Sequence, residues 1–269
     1  MSDNVPVLSI VMPTYNYTEG PKNLLELIDK YIDTNKVEII ISDDSTDDSI
    51  YTLSANYSFV KYQKHIRTPN PIDNWNSGVR LATGRYVLLL HHDEQFIDQH
   101  SIIELISVLS RNNAELHVLR CLINLDNEIR SLSVHKLLFQ KFFLHFPISL
   151  FILNWIGSPS ILVFKNRYES NCWDRELSYL VDVDFYYRMI KSGLLINFIE
   201  NVTIVSNVRS ESITASIYSK IEGIYTKEIN YINKKYSLGS IKYLLIKISH
   251  YLIVINRNLK KVLKRRSIC

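Results

Sequence analysis

The sequence predicts an α/β fold with a mostly parallel central sheet flanked by helices, and three observations predict it. Residues 7–13, 37–42 and 86–90 are short, nearly continuous apolar runs, the signature of strands buried on both faces. Stretches with helical spacing separate them, which is the pattern of βαβ units and of a parallel, right-handedly connected sheet. The second and third runs end abruptly in acids, Asp43-Asp44 and His91-His92-Asp93-Glu94. In open α/β sheets, ligands bind beyond the carboxyl ends of the strands, so these polar ends are candidate site residues. A strand followed by a solvated helix start accounts equally well for residues 91–94 taken alone, since acids favour helix N-termini.

Taken in order, residues 7–13 (VLSIVMP) form a first strand, closed by Pro13 and followed by Thr14-Tyr15-Asn16. Pro21 opens a helix carrying Leu24, Leu25, Leu27, Ile28 and Tyr31 at helical spacing. Residues 37–42 are the second strand, and Asp47 and Asp48 with their neighbouring Ser and Thr mark a helix start. A short strand at 59–62 and a helix at 73–82 lead through Gly84 into the strand ending at His91. A helix follows at 102–109, then a strand at 116–122. Residues 137–156 are heavily apolar and aromatic, and read as helix packed on the body and touching membrane. Lys141, His145 and Pro147 disfavour a span of about 20 residues. A turn at 157–160 and a strand at 161–164 precede an acid-rich helix start at 180–190. There Asp182 reads as an N-cap and Asp184 as the partner of Arg188, four residues on.

Residues 1–210 are expected to form the main domain and 211–269 a helical extension. In the latter, Ile241, Leu244, Leu245, Ile248, Leu252, Ile255 and Leu259 follow helical spacing among lysines. The net charge of +4 hides an asymmetry: residues 256–269 hold six basic side chains and no acid, so the remainder carries 25 basic against 27 acidic. That distribution argues against nucleic acid as a partner. It suits peripheral contact of the last helix with an anionic membrane, the alternative being a helix that caps the core. Three scattered cysteines without CxxC spacing point to a reducing compartment and no cysteine metal site. With no signal-peptide pattern at the N-terminus, the expected location is cytoplasmic, at the inner face of the membrane. No Gly-x-Gly-x-x-Gly or Walker loop follows a strand, which removes dinucleotide and P-loop binding.

Together these features resemble glycosyltransferase family 2, whose GT-A fold binds nucleotide sugars. Residues 9–16 (SIVMPTYN) look like its opening strand and nucleotide-contacting turn, and residues 41–49 (ISDDSTDDS) like its second-strand motif. Asn74-Trp75-Asn76 with Gly78, Ala82 and Gly84-Arg85-Tyr86 matches the helix before the metal-site strand. The resemblance implies nucleotide contacts from Pro13, Thr14, Tyr15, Asp43, Asp44 and Asn76. It implies metal binding by Asp93, with His92 and Glu94 as further metal candidates, and a catalytic base at Asp182, six residues before Arg188; Asp184 is an additional candidate site residue. Departures exist: His92 stands where an aspartate is frequent, the second-strand motif lacks its usual glycine, and Val181 replaces a common glutamate.

The implied activity is inverting transfer from a nucleoside diphosphate sugar, with UDP favoured, to a hydroxyl of a glycan or lipid-linked acceptor. Polysaccharide assembly at the cell surface is the implied setting. A divalent cation, Mn or Mg, would offset the charge growing on the leaving diphosphate. A carboxylate would accept the proton of the attacking hydroxyl, as it does from water in inverting glycosidases. The second reading is a non-catalytic nucleotide-sugar-binding relative, suggested by the altered cluster at 91–94. A nucleotidyltransferase would need a glycine-rich loop after the first strand, which Pro13-Thr14-Tyr15-Asn16 does not supply. A metallohydrolase built on residues 91–94 is disfavoured because consecutive strand residues point to opposite faces.

Overall fold

The computed structural model describes residues 5–65, 70–125, 128–131, 141–167, 172–207 and 221–266, and the side chains of these except 125, 128–131 and 254–266. The first half runs β1 (Leu8–Thr14), α1 (Glu19–Tyr31), β2 (Val37–Asp43), α2 (Ser49–Ser54), β3 (Val60–Lys64), α3 (Pro71–Arg80) and β4 (Tyr86–Leu89). Its strands lie parallel in the order β3-β2-β1-β4. Every residue of β1, β2 and β4 is buried, as a parallel sheet covered on both faces requires. Helix α1 covers the sheet with Leu24, Leu25 and Ile28, and α3 with Ile72, Trp75 and Val79. Helix α1 begins two residues before Pro21, whose ring is tolerated in a first turn. Helix α3 begins ahead of Asp73, because Asn70 accepts the Ile72 N–H at 3.0 Å and Pro71 occupies the first position.

The second half comprises β5 (Glu94–Phe96), α4 (Gln99–Arg111), β6 (Leu116–Leu125), β7 (Glu128–Ser131), β8 (Leu162–Lys165), α5 (Val181–Lys191), β9 (Ile196–Asn207), α6 (Ile221–Tyr236) and α7 (Ser240–Arg266). Strand β8 enters antiparallel between β4 and β6, β9 runs parallel to β6, and β5 closes the edge against β9. The full order is β3-β2-β1-β4-β8-β6-β9-β5, with β7 attached to β6.

Residues 141–156 depart from the expected continuous helix. A short helical turn at 141–143 gives way to a 3-10 helix, Pro147–Phe151, with Pro147 in its first turn; residues 137–140 lie outside the described residues. Leu150, Phe151, Trp155 and Ile156 are buried, whereas Phe142 and Phe146 are 59% and 53% exposed. Among the described residues, no helix is long and apolar enough to cross a membrane.

Helix α6 carries a weaker apolar pattern and no sequence expectation singled it out as a separate element. It buries Tyr225, Glu228, Ile229 and Ile232, and its apolar residues join the same hydrophobic cluster as β1 and β4. Helix α7 turns Ile246 inward and stacks His250 on Tyr225, ring centroids 3.5 Å apart. The stripe seen in the sequence faces outward instead: Ile241, Leu244, Leu245, Ile248 and Leu252 are 48–77% exposed. Side chains of the basic cluster from Arg257 onward lie outside those described.

Candidate active site at the strand ends

Because β1, β2 and β4 are parallel, their carboxyl ends share one edge of the sheet. The turns that follow β1 and β2 are stitched together there. Asn16, at φ +48°, donates its N–H to Ser45 Oγ at 2.8 Å and accepts the Thr46 N–H at 2.9 Å. A left-handed conformation suits asparagine better than most residues. Pro13 and Thr14 are buried opposite Ser42 and Asp43, and the Asp44 N–H donates to the Thr14 carbonyl at 3.1 Å. Asp44 itself is 6% exposed. Tyr15 projects outward, 41% exposed.

Asp43 is fully buried and saturated with donors. Its carboxylate accepts from Thr14 Oγ1 at 3.0 Å, the Ser45 N–H at 2.9 Å, Tyr62 OH at 2.8 Å and Lys64 Nζ at 3.3 Å. Burial opposes ionisation, but hydrogen bonds from Ser45, Tyr62 and Thr14 outweigh it and hold the carboxyl below its ordinary value. This side chain ties β1, β2 and β3 together at the site edge. Asn76 is similarly committed: its amide donates to the Trp173 carbonyl at 2.8 Å and accepts the Trp173 N–H at 3.0 Å.

The β4 end is a turn, neither a helix start nor a strand continuation. The Glu94 N–H donates to the His91 carbonyl at 2.9 Å, and β5 starts at Glu94. The side-chain alternation expected for a strand therefore does not apply. Ligand atoms of His91, Asp93 and Glu94 lie within 4.8 Å of one another, which removes the geometric objection to their acting on one ion. The turn is held from several sides. Asn207 at the end of β9 donates its backbone and side-chain N–H groups to the Asp93 carbonyl, both at 3.1 Å. Ser160 donates its hydroxyl to Glu94 and accepts the His91 N–H at 3.2 Å. Gly20 is required where α1 passes, since a Cβ there would meet the His92 carbonyl oxygen at 1.7 Å. His92 reaches back to the first turn, its Nδ1 accepting the Tyr15 N–H at 3.2 Å and its ring meeting Tyr17 edge-on.

Asp182 is the second residue of α5, so it is not the N-cap; Leu180 holds that position and its side chain makes no capping bond. The residue is partly exposed, yet its Oδ1 is shielded and has no hydrogen-bond partner. Burial, reinforced by the Glu94 charge and opposed by His91, pushes its carboxyl up to about 7. His91 shows the complementary picture. Its Nε2 is shielded and unpartnered, and its Nδ1 lies 3.4 Å from Glu94. Burial disfavours the cation, but the Glu94 hydrogen bond and the charges of Glu94, Asp93 and Asp182 raise its pKa. The imidazole also packs on Trp75, ring centroids 4.6 Å apart.

An imidazole beside two carboxylates is a donor set that suits a divalent ion such as Mn. The ligand atoms of the three residues already lie within 4.8 Å of one another, close enough to share such an ion. Binding would require loss of the His91 proton, so affinity should weaken in acid.

The structure thus groups Thr14, Asp43 and Asp44 on one strand-end edge and His91, Asp93 and Glu94 in one turn, with Asp182 electrostatically coupled to that turn. It sets Asp184 apart. That carboxylate is fully buried against Arg188 at 3.1 Å, Lys235 at 3.0 Å and Tyr236 OH at 2.6 Å. The ion pair with Arg188 expected from spacing is present, and Lys235 and Tyr236 are partners that spacing could not show. The sequence pattern assigned no role to Ser160 and placed Trp75 only in a helix motif; the contacts of both depend on distant segments.

Structural comparison places S. aureus TarS beside this chain. The TarS 1–349 fragment in complex with UDP-GlcNAc matches with a TM-score of 0.59 and 15% identity, covering 82% of this chain and 66% of that one. Whole TarS matches with a TM-score of 0.57 and 15% identity, covering 82% of this chain and 39% of that one. At such identity the likeness concerns the GT-A fold. This chain spans less than two-thirds of either TarS chain. Among curated proteins no match is found. The family model "Glycosyl transferase family 2" matches residues 9–157, more than half of the 269-residue chain and inclusive of both strand-end clusters. The chain belongs to glycosyl transferase family 2.

Proposed function

We propose that the chain is an inverting glycosyltransferase that takes a sugar from a nucleoside diphosphate donor, UDP-linked by preference, to an acceptor hydroxyl. The observation that carries this reading is Asp182: a carboxyl with a shielded, unpartnered oxygen, coupled to the His91-Asp93-Glu94 turn. A buried polar atom without a partner is costly and returns nothing to stability. A reactive group that awaits a substrate proton accounts for it. The resemblance of the fold to TarS, crystallised with UDP-GlcNAc and with UDP, supports a uridine nucleotide as donor.

In the reaction, the acceptor oxygen forms a bond to the anomeric carbon from the face opposite the leaving group. The bond from that carbon to the diphosphate oxygen breaks, and its electron pair leaves with the nucleotide. The acceptor proton passes to Asp182, whose pKa near 7 suits a base working near neutrality. Asp93 and Glu94, with His91, would hold a divalent ion; when bound, it supplies charge stabilisation for the leaving diphosphate. Thr14, Tyr15 and Asp44 line the edge assigned to the nucleotide, while Asp43 and Asn76 shape that edge through neighbouring segments.

The decisive measurement is nucleotide release from a panel of sugar nucleotides with added Mn, for the wild-type chain and for Asp182→Asn and Asp93→Ala. Turnover that survives Asp182→Asn at the wild-type rate refutes the assignment of the base. Calorimetric binding without turnover of any donor, in the presence of acceptor extracts, would instead establish the non-catalytic relative.

The setting we infer is the cytoplasmic membrane face, with a glycan or lipid-linked acceptor of surface polysaccharide assembly. Support comes from the outward stripe of α7 and its basic C-terminal sequence. Co-sedimentation with anionic vesicles that Leu244→Glu/Leu245→Glu does not weaken would remove this part of the reading.

A further inference from the structure

The loop into α5 is fixed from outside its own segment. Residues 178–180 precede Asp182, and their donors converge on one carboxylate, Glu228 of α6. Glu228 Oε1 accepts the Ser178 N–H and the Ser178 hydroxyl, each at 2.7 Å; Oε2 accepts the Tyr179 N–H at 3.1 Å and the Leu180 N–H at 2.7 Å. Glu228 is only 4% exposed. Leu180 is the N-cap of α5 and has no side-chain cap of its own; by accepting the Leu180 N–H, Glu228 makes from another helix the bond that a Glu three residues into the helix makes in a capping box. A second attachment lies two turns further along α6. Lys235 Nζ sits 3.0 Å from both oxygens of Asp184, and Tyr236 OH donates to Asp184 at 2.6 Å. The two attachments straddle Asp182, one just before it and one just after it.

We infer that Glu228 is a positioning residue for the transfer reaction: by binding the backbone of residues 178–180 it sets where the Asp182 carboxyl stands. The inference rests on Asp182 being the base. Glu228 acts through geometry. The Asp182 carboxyl is shifted by its burial and then by the charges of His91 and Glu94, and Glu228 is not among these causes.

The test uses the full chain and three variants, Glu228→Ala, Glu228→Gln and Asp182→Asn, plus the double variant Glu228→Ala/Asp182→Asn. Hydrogen exchange needs no substrate. Glu228→Ala should speed exchange of residues 179–184 at least about tenfold, with the amides of β1, β2 and β4 unchanged. Glu228→Gln, which keeps an acceptor oxygen, should restore part of the protection. Loss of protection spread evenly over the molecule, or no change at 179–184, would overturn the inference. With a donor that the wild-type turns over, Glu228→Ala should lower kcat on the order of tenfold to a hundredfold, since a misplacement near 1 Å can have that effect. KM for the donor should be unchanged, and the Asp182→Asn background should show no further loss. A Glu228→Ala loss of the same factor in both backgrounds would mean that Glu228 does not act through Asp182. If Asp182→Asn retains full turnover, the base assignment fails, while the exchange result still decides whether Glu228 orders the loop.

Discussion

Asp43 ends β2 and Asp182 opens α5 near the His91–Glu94 turn; they are the same residue type, and their surroundings drive them in opposite directions. Asp43 is enclosed by Thr14, Ser45, Tyr62 and Lys64, and its pKa is lowered. Asp182 is partly exposed, but its Oδ1 is shielded and without a partner, and burial raises its pKa to about 7. Burial alone would raise both. What differs is how many donors the fold aims at each carboxylate. The first is scaffold that holds three strand ends in register; the second has chemical capacity that the fold leaves unspent.

The largest effect expected from this contrast is on rate. Asp182→Asn should reduce transfer by about 10²–10⁴-fold, the range for loss of a general base. Nucleotide release under saturating donor measures it, and Asp43→Asn should fall far less once corrected for the folded fraction.

A stability effect of opposite sign accompanies it. The folded pKa of Asp182 lies above its unfolded value near 3.8, so ionisation destabilises the fold as pH rises from about 4 to 7. In chelator-treated protein this term reaches roughly 4 kcal/mol at most. Asp182→Asn should therefore raise the Tm more at pH 8 than at pH 5, as differential scanning fluorimetry would show. An equal shift at both values would contradict the environment described for Asp182.

Asp43 should behave in reverse. Its folded pKa lies below its unfolded value, so its contribution is present above about pH 4 and disappears as the pH falls through the folded pKa. Asp43→Ala strands several buried donors and should cost about 3 kcal/mol at neutral pH. The gap from wild type in urea unfolding should narrow in acid. A gap independent of pH would indicate lost packing instead of a lost ionised acceptor.

The smallest effect tests the turn that follows β4. Gly20→Ala forces a Cβ onto the His92 carbonyl and should destabilise by about 1–3 kcal/mol. It should also weaken Mn binding, read by calorimetry, because the same turn carries His91, Asp93 and Glu94.

Helix starts follow local rules that the expected bounds at 73 and 102 passed over. Asn70 and Pro71 start α3, and Asp98 caps α4 by accepting the Ser101 N–H at 2.8 Å; both are local signals. The 137–156 stretch shows where they fail. Its hydrophobicity reflects burial of Leu150, Phe151, Trp155 and Ile156 by other segments, and hydrophobicity alone does not distinguish a long helix from an irregular stretch packed into a core. The α7 stripe teaches the same from the other side: period 3.6 is legible, but which face meets the core depends on where Tyr225 and its neighbours already stand.

By itself, the sequence determined the alternation of strands and helices, the buried β1, β2 and β4, and hence the edge at which Thr14, Asp43 and His91–Glu94 emerge. These follow from period, burial and chain order, which are local properties. Folding alone saturates Asp43, leaves Asp182 an unpartnered oxygen, adds Lys235 and Tyr236 to Arg188 around Asp184, and brings Glu228 to the start of a helix 48 residues away. A carboxylate's role depends on the donors around it, and here those donors arrive from segments that only folding brings near.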